Sequence, residues 1–275
     1  MKSADLHLHT VFSDGTYQPQ ELVEQARRSG LSCISVVDHD TVEGITATLS
    51  FGKENAIEVI PGIELSAGHN GTEVHILGYL IDYHNKELLQ KLEFLRNNRT
   101  VRIYEMVEKL KGLGLKLEAE EVFNISQSAP AGRLHLARAM LKAGLVKSTA
   151  EAFNKYIGDK GPAYFCGFKL KPAEAIDLIR KAGGIPILAH PYTIKDEQSI
   201  LQFIAEGIMG LEIYYPDHTQ SMINFYLNLA KEYNLLVTGG SDCHGSAKPE
   251  VRIGSVKIPY ELVEKLKLAR QNLLC

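Results

Sequence analysis

The sequence predicts an α/β fold. Short β-rich runs alternate with helical stretches, and the connections are long enough for crossover helices rather than tight hairpins. One long, wholly helical segment interrupts the alternation. In order, β-rich runs fall at 4–9, 32–38, 59–64 and 74–79, and a helix opens at Pro19 and stops at Gly30, residues suited to a helix start and end. From 85 to about 113, Leu88, Leu92, Leu95, Val101, Met106 and Leu110 form an apolar stripe beside Lys, Arg and Glu. Helical patterns continue at 117–124, 132–143 and 149–156 with no new strand. The alternation resumes after Lys171-Pro172: helix, strand 185–189, helix, strand 211–214, helix, strand 235–238, and a last helix from Pro259. Seven strands result. The expected organisation is a discontinuous catalytic domain, 1–84 and 169–275, around a helical insertion at 85–168.

Composition narrows the class. With 275 residues, 45% hydrophobic and 23% charged, the chain can bury a substantial core and is not a disordered or low-complexity protein. A net charge of -3 offers no broad positive surface for long duplex DNA or an anionic membrane. Any anion must be met locally. Cys33, Cys166, Cys243 and Cys275 are scattered without CxxC spacing, which argues against a disulfide framework or a thiolate zinc site and for a reducing compartment. No run approaches the roughly 18 apolar residues of a membrane span, and no signal peptide is apparent, so the expected location is cytoplasmic.

The chemistry lies in where histidines and carboxylates fall. His7 and His9 are two apart on a strand, so both rings project from one face. Asp14 sits in a Ser-Asp-Gly turn just beyond that strand. His39, Glu64 and His190 each terminate an apolar run, His75 lies within a strand, and Asp242 and His244 repeat the two-residue spacing after Gly239-Gly240. The ends of parallel βα strands are where such folds assemble active sites. Taken singly, each residue has an ordinary reading: a satisfied polar strand end, a turn former at Asp14, or a helix cap at Asp38-His39. Taken together, imidazoles and carboxylates without thiolate suit Zn, Mn or Fe. Cys243 should point away from its neighbours and pack.

These residues resemble the PHP family, the polymerase and histidinol phosphatase phosphoesterases. The pattern of HxH, Asp, His, Glu, His, His and closing DxH is met by His7, His9, Asp14, His39, Glu64, His75, His190, Asp242 and His244. The resemblance implies a distorted (β/α)7 TIM-like barrel with three divalent ions, Mn first and Fe or Zn as alternatives. It implies one ion on His7, His9, Glu64 and Asp242, a second on Glu64, His75 and His190, and a third on Asp14, His39 and His244. Gly132-Arg133-Leu134-His135-Leu136-Ala137-Arg138, Gly161-Pro162-Ala163-Tyr164, Ala182-Gly183-Gly184, Glu212-Ile213-Tyr214-Tyr215 and His218 are similar to the branch of nucleoside 3′,5′-bisphosphate phosphatases and 5′-to-3′ exoribonucleases. Leu134 departs from the proline common there.

The implied reaction is hydrolysis of nucleotide phosphate esters, on a 3′,5′-bisphosphate nucleotide or a short 5′-phosphorylated single-stranded RNA, by attack of a metal-bridging hydroxide. Glu64 is expected to bridge two ions. Arg133 is expected to clamp a second phosphate, with His135 beside it, and His218 to bind phosphate or protonate the leaving group. Asp38 is read as orienting a ligand, Lys160 as a solvated charge, and His69 and His84 as unpartnered surface residues. A histidinol-phosphate-type phosphatase of the same family is the alternative. An amidohydrolase would not need Asp14 and His39, and a non-catalytic metal-binding module would not need all nine side chains.

Overall fold

The computed structural model describes residues 2–274 apart from Ser128 and Lys195. Its elements in chain order are β1 (Ser3–Leu8), α1 (Pro19–Arg28), β2 (Cys33–Val36), α2 (Ile45–Glu54), β3 (Glu58–His69) and β4 (Thr72–Tyr79). The long α3 (Lys86–Gly112), α4 (Ala119–Ser126), α5 (Arg133–Lys142) and α6 (Thr149–Ala152) follow. The second half returns to alternation with α7 (Pro172–Lys181), β5 (Ile185–Leu188), α8 (Glu197–Ala205), β6 (Gly210–Tyr214), α9 (Gln220–Glu232), β7 (Leu236–Gly239), β8 (Ile258–Pro259) and α10 (Tyr260–Leu274). Local chemistry sets many boundaries. Pro19 and Pro172 stand at the first positions of α1 and α7, where a missing N–H is harmless, and the Asn85 side chain accepts the Leu88 N–H at the start of α3.

The sheet runs β7-β6-β5-β4-β3-β2-β1-β8 and curls into a nearly closed, TIM-like barrel. Closure comes from backbone bonds between β1 and the segment after β7: His9 N–H donates to Cys243 O at 3.1 Å and Asp242 N–H to His7 O at 2.9 Å. Most pairings are parallel, but β4 runs antiparallel to both β3 and β5. This departs from a wholly parallel expectation: β3 continues past Glu64 to His69 and returns directly as β4, because Asn70-Gly71 supplies the two positive-φ residues a tight hairpin needs. The two-residue β8 adds an eighth strand, antiparallel to β1.

Two apolar cores matter for function. Leu88, Leu92 and Leu95 at the start of α3 pack with Ile63, Leu65 and Ile76 of the barrel. Further along the same helix, Ile103, Met106, Val107 and Leu110 pack with Val122, Leu136, Met140 and Ile157 in a separate core. Thus α3 binds the helical segment to the barrel wall while that segment keeps its own interior. Cys33, Cys166 and Cys243 are free thiols, and Cys275 lies outside the described residues. Among the described residues no helix is long and apolar enough to cross a membrane.

Closure leaves no room at Gly240. A Cβ there would lie 2.4 Å from His7 N and 2.5 Å from His7 Cβ, so Gly240→Ala must push β1 away from the β7 end. The substitution is expected to cost about 1–3 kcal/mol of stability. A urea midpoint equal to that of the wild type would contradict this account of the barrel seam.

Candidate metal centre

All nine sequence-predicted side chains converge at the end of the barrel reached by the C-termini of β1, β2, β5, β6 and β7. Glu64 occupies the middle, 1% exposed. Its Oε2 lies 3.2 Å from His7 Nε2, His9 Nε2 and His39 Nδ1 alike, and its Oε1 lies 2.8 Å from His75 Nδ1 and 3.2 Å from His190 Nε2. The β3–β4 hairpin makes part of this possible: Glu64 pairs with Leu77 and Ser66 with His75, so Glu64 and His75 are diagonal neighbours on one face. Asp242 Oδ1 stands 3.3 Å from His7 Nε2 and 3.1 Å from His9 Nε2, and Asp14 Oδ1 stands 3.1 Å from His244 Nε2.

The donor atoms fall into three groups, each tight enough to share an ion: His7, His9, Glu64 and Asp242; His9, Asp14, His39 and His244; and His39, Glu64 and His75. The first is the set the resemblance implies. The others differ in that His9 and His39 each belong to two groups, and His190 approaches Glu64 without joining one. The residues fit divalent cations. Their donors are imidazole nitrogen and carboxylate oxygen, and among the described residues the buried Asp14 Oδ1, His39 Nδ1 and His190 Nδ1 make no hydrogen bond of good geometry, close as the first two lie to His244 and Glu64.

Without cations the cluster is held by its own charges. Burial opposes ionisation of Glu64, but His39, His7 and His75 outweigh it and hold the carboxyl well below its usual range. Burial likewise opposes protonation of His9, yet Asp242 and Glu64 raise it to about 9; His75 rises to about 9 against its own burial through Glu64 and Glu73. Backbone strain collects here too. His190 and Asp242 have φ of 28° and 55°, in the left-handed half of backbone space, at a cost on the order of 1–3 kcal/mol each.

The surrounding shell shows what residue types alone could not. Asp38 accepts from Thr10 N, Thr10 Oγ1 and Ser13 Oγ, so it braces the loop that carries Asp14 rather than orienting an imidazole directly. His135 is 2% exposed, and its Nδ1 accepts the Gly132 N–H at 3.1 Å. Burial lowers its pKa to about 4. It caps the start of α5. Arg133 does line the cleft, but its guanidinium is shared between Asp159 and Glu73 at 2.6 and 3.2 Å. His218 hydrogen-bonds the Ile213 carbonyl through Nδ1 at 2.8 Å, and burial lowers its pKa. With Nδ1 donating to that carbonyl, the ring when neutral presents Nε2 as an acceptor, and among the described residues Nε2 has no partner.

Cys243 packs as expected, its Sγ directed at Val251 O and Gly245 N, and Lys160 and His84 are exposed. His69 is not unpartnered: its Nε2 lies 2.8 Å from Ser199 Oγ. Sequence reasoning missed four residues. Arg99, Arg102 and Lys248 line a cavity of about 170 Å³ together with Asp14, His39, His75, His244 and Arg133. Glu73 gathers Lys169, Arg102, Arg133 and His75 within 2.7–3.2 Å, and these contacts hold its carboxyl well below its usual range despite burial. In the sequence Arg99 and Arg102 are only charged residues beside the apolar stripe of 85–113; the docking of α3 on the hairpin brings them to Asp40, Ser66 and Glu73.

Comparison with known proteins agrees with this geometry. A family profile described as PHP domain matches residues 5–100. A 5′-3′ exoribonuclease of Haemophilus influenzae is 32% identical over 248 residues, covering 88% of this chain and 90% of that protein. A phosphoribosyl 1,2-cyclic phosphate 1,2-diphosphodiesterase of Eggerthella lenta is 27% identical, covering 88% and 94%. A 3′,5′-nucleoside bisphosphate phosphatase of Chromobacterium violaceum is 28% identical, covering 89% and 88%. A solved structure from Bifidobacterium adolescentis, described as a candidate metal-dependent phosphoesterase, superposes with a TM-score of 0.90 at 30% identity, covering 98% of this chain and 96% of that one.

The raised histidines give a signed pH dependence. In the metal-free protein His9 and His75 contribute their full stability below 6.5 and lose it as pH rises through about 9. A cation must displace the same protons, so affinity for zinc(II) rises over that window. Thermal melts of metal-free protein and zinc titrations between about pH 6 and 9.5 should slope in opposite directions; parallel trends would refute the assignment.

Proposed function

The chain belongs to the PHP family of metal-dependent phosphoesterases, and on that footing we propose that it hydrolyses phosphate esters of nucleotides, either a 3′,5′-bisphosphate nucleotide or a short 5′-phosphorylated RNA. The observation that carries this reading is one cavity whose lining brings Asp14, His39, His75 and His244 together with Arg99, Arg102, Arg133 and Lys248. A substrate with two phosphate groups matches a lining that holds both metal-ligating and cationic side chains. At about 170 Å³ the cavity takes a phosphoryl group, whereas whole-ligand sites usually exceed about 300 Å³, so the nucleoside lies along the rim.

In this reading three divalent ions are held: one by His7, His9, Glu64 and Asp242, a second by Glu64, His75 and His190, and a third by Asp14, His39 and His244. Manganese is the first choice and iron or zinc the alternatives. When bound, they supply positive charge against the phosphoryl oxygens and acidify a water for in-line attack. The chain's own residues do the rest. Glu64 holds five imidazoles in register through its two oxygens. Arg133, its guanidinium carbon 5.6 Å from the Tyr164 and Phe153 ring centroids and its terminal nitrogens braced by Asp159 and Glu73, clamps a second phosphate with the N–H groups that remain. Arg102 adds a buried Nη2 that has no acceptor among the described residues. His218, neutral and accepting through Nε2, suits a substrate hydroxyl better than proton delivery. The segment 85–168 acts as an insertion whose helices, with their own core, bring the arginines to the barrel mouth.

Phosphate release by the manganese-loaded protein from adenosine 3′,5′-bisphosphate, a 5′-phosphorylated oligoribonucleotide and histidinol phosphate tests the substrate class. The first two should be hydrolysed and the third poorly; turnover of histidinol phosphate alone overturns the reading. Glu64→Gln should lose nearly all activity with the fold retained. Arg133→Gln should lose about 10-fold or more in kcat/KM on the bisphosphate, the worth of a charge-assisted contact, and much less on adenosine 3′-monophosphate.

A further inference from the structure

Glu212 stands in the middle of β6 with its side chain fully buried, and among the described residues no lysine or arginine pairs with it. A carboxylate in that position must be satisfied by hydrogen-bond donors. It has two, from widely separated parts of the chain. Oε1 lies 2.8 Å from His7 Nδ1 on β1, and Oε2 accepts the His190 backbone N–H at 2.9 Å beyond β5. The first contact makes Nδ1 the protonated nitrogen of a neutral His7. That leaves the Nε2 lone pair facing Glu64 Oε2 at 3.2 Å, Asp242 Oδ1 at 3.3 Å and His9 Nε2 at 3.2 Å, the group suited to share an ion. The second contact anchors a residue whose φ of 28° and ψ of 62° need support from outside.

From this geometry we infer that Glu212 is a positioning residue of the metal centre: it selects the ligating tautomer of His7 and pins the strained backbone that aims His190. The inference rests on the metal-centre reading above. The residue type follows from its partners. Both are N–H donors, and only a carboxylate accepts on both oxygens. A glutamine of the same size has one acceptor oxygen and one NH2. With its oxygen toward His7, its NH2 opposes the His190 N–H. Turned the other way, its NH2 demands an acceptor at Nδ1, which places a proton on His7 Nε2 where the lone pair is needed. Aspartate is one methylene shorter and cannot span the two donors.

Zinc(II) affinity and stoichiometry of the intact chain, measured by competition with a chromophoric chelator, test the inference without recourse to turnover. Glu212→Gln is expected to bind zinc about 10–100-fold more weakly, the usual effect of losing a group that orients a ligating histidine. Affinity within twofold of wild type overturns the inference. Should the variant fail to fold, the wild type decides: with 15N-labelled histidine and zinc bound, His7 Nδ1 is expected to resonate as a protonated nitrogen, and an unprotonated Nδ1 rejects the inference. A wild-type chain that binds no zinc, manganese or iron removes the metal-centre reading itself, a separate failure from equal binding by wild type and variant.

Discussion

Burial of a single carboxylate among five imidazoles is the constraint around which the rest of the molecule is arranged. Glu64 is removed from water, where an isolated carboxylate would be costly, and is tolerated because ring nitrogens from His7, His9, His39, His75 and His190 surround it. Those rings start from four strands of the barrel, β1, β2, β4 and β5. Their convergence requires the sheet to close, and closure brings the end of β7 against β1 so tightly that Gly240 has no space for a side chain. The polar centre and the apolar barrel therefore depend on each other.

The centre is supported by three further buried carboxylates that do not join it. Asp5 accepts from Ser241 and Gly254 below the Asp242 strand end, Asp38 braces the Asp14 loop, and Glu212 holds His7 and His190. Burial raises Asp5 to about 6 even against four hydrogen bonds, a measure of how dry this part of the barrel is. Such a shell keeps long polar side chains in fixed rotamers, so the inward-facing ring nitrogens need little reorganisation before they receive a cation.

The helical segment contributes charge and shape rather than ligands. Arg99 binds Asp40 and Ser66, Arg102 binds Glu73 and the Phe165 carbonyl, and Arg133 binds Glu73 and Asp159. The contacts to Asp40, Ser66 and Glu73 span the boundary between the helices and the barrel or its hairpin, whereas those to Phe165 and Asp159 stay within the helical segment. The contacts that dock the segment thus also place guanidinium groups at the mouth of the cleft, in a chain whose net charge of -3 gives no hint of a cationic wall.

The seven principal strands, the long helix of 86–112 and the nine converging side chains were legible in the sequence, because period, turn residues and the spacing of His7-His9 and Asp242-His244 are local properties. The antiparallel course of β4 was less so, since Asn70-Gly71 reads as a hairpin only when β3 is allowed to run beyond Glu64. Which nitrogen of each ring faces the centre, which ligands share a group, and the roles of Glu212, Glu73, Arg99, Arg102 and Lys248 were decided by the tertiary structure alone. Residue type and strand position follow from near neighbours in the chain, whereas a hydrogen bond between β6 and β1, 205 residues apart, exists only once the sheet has curled far enough to bring them together.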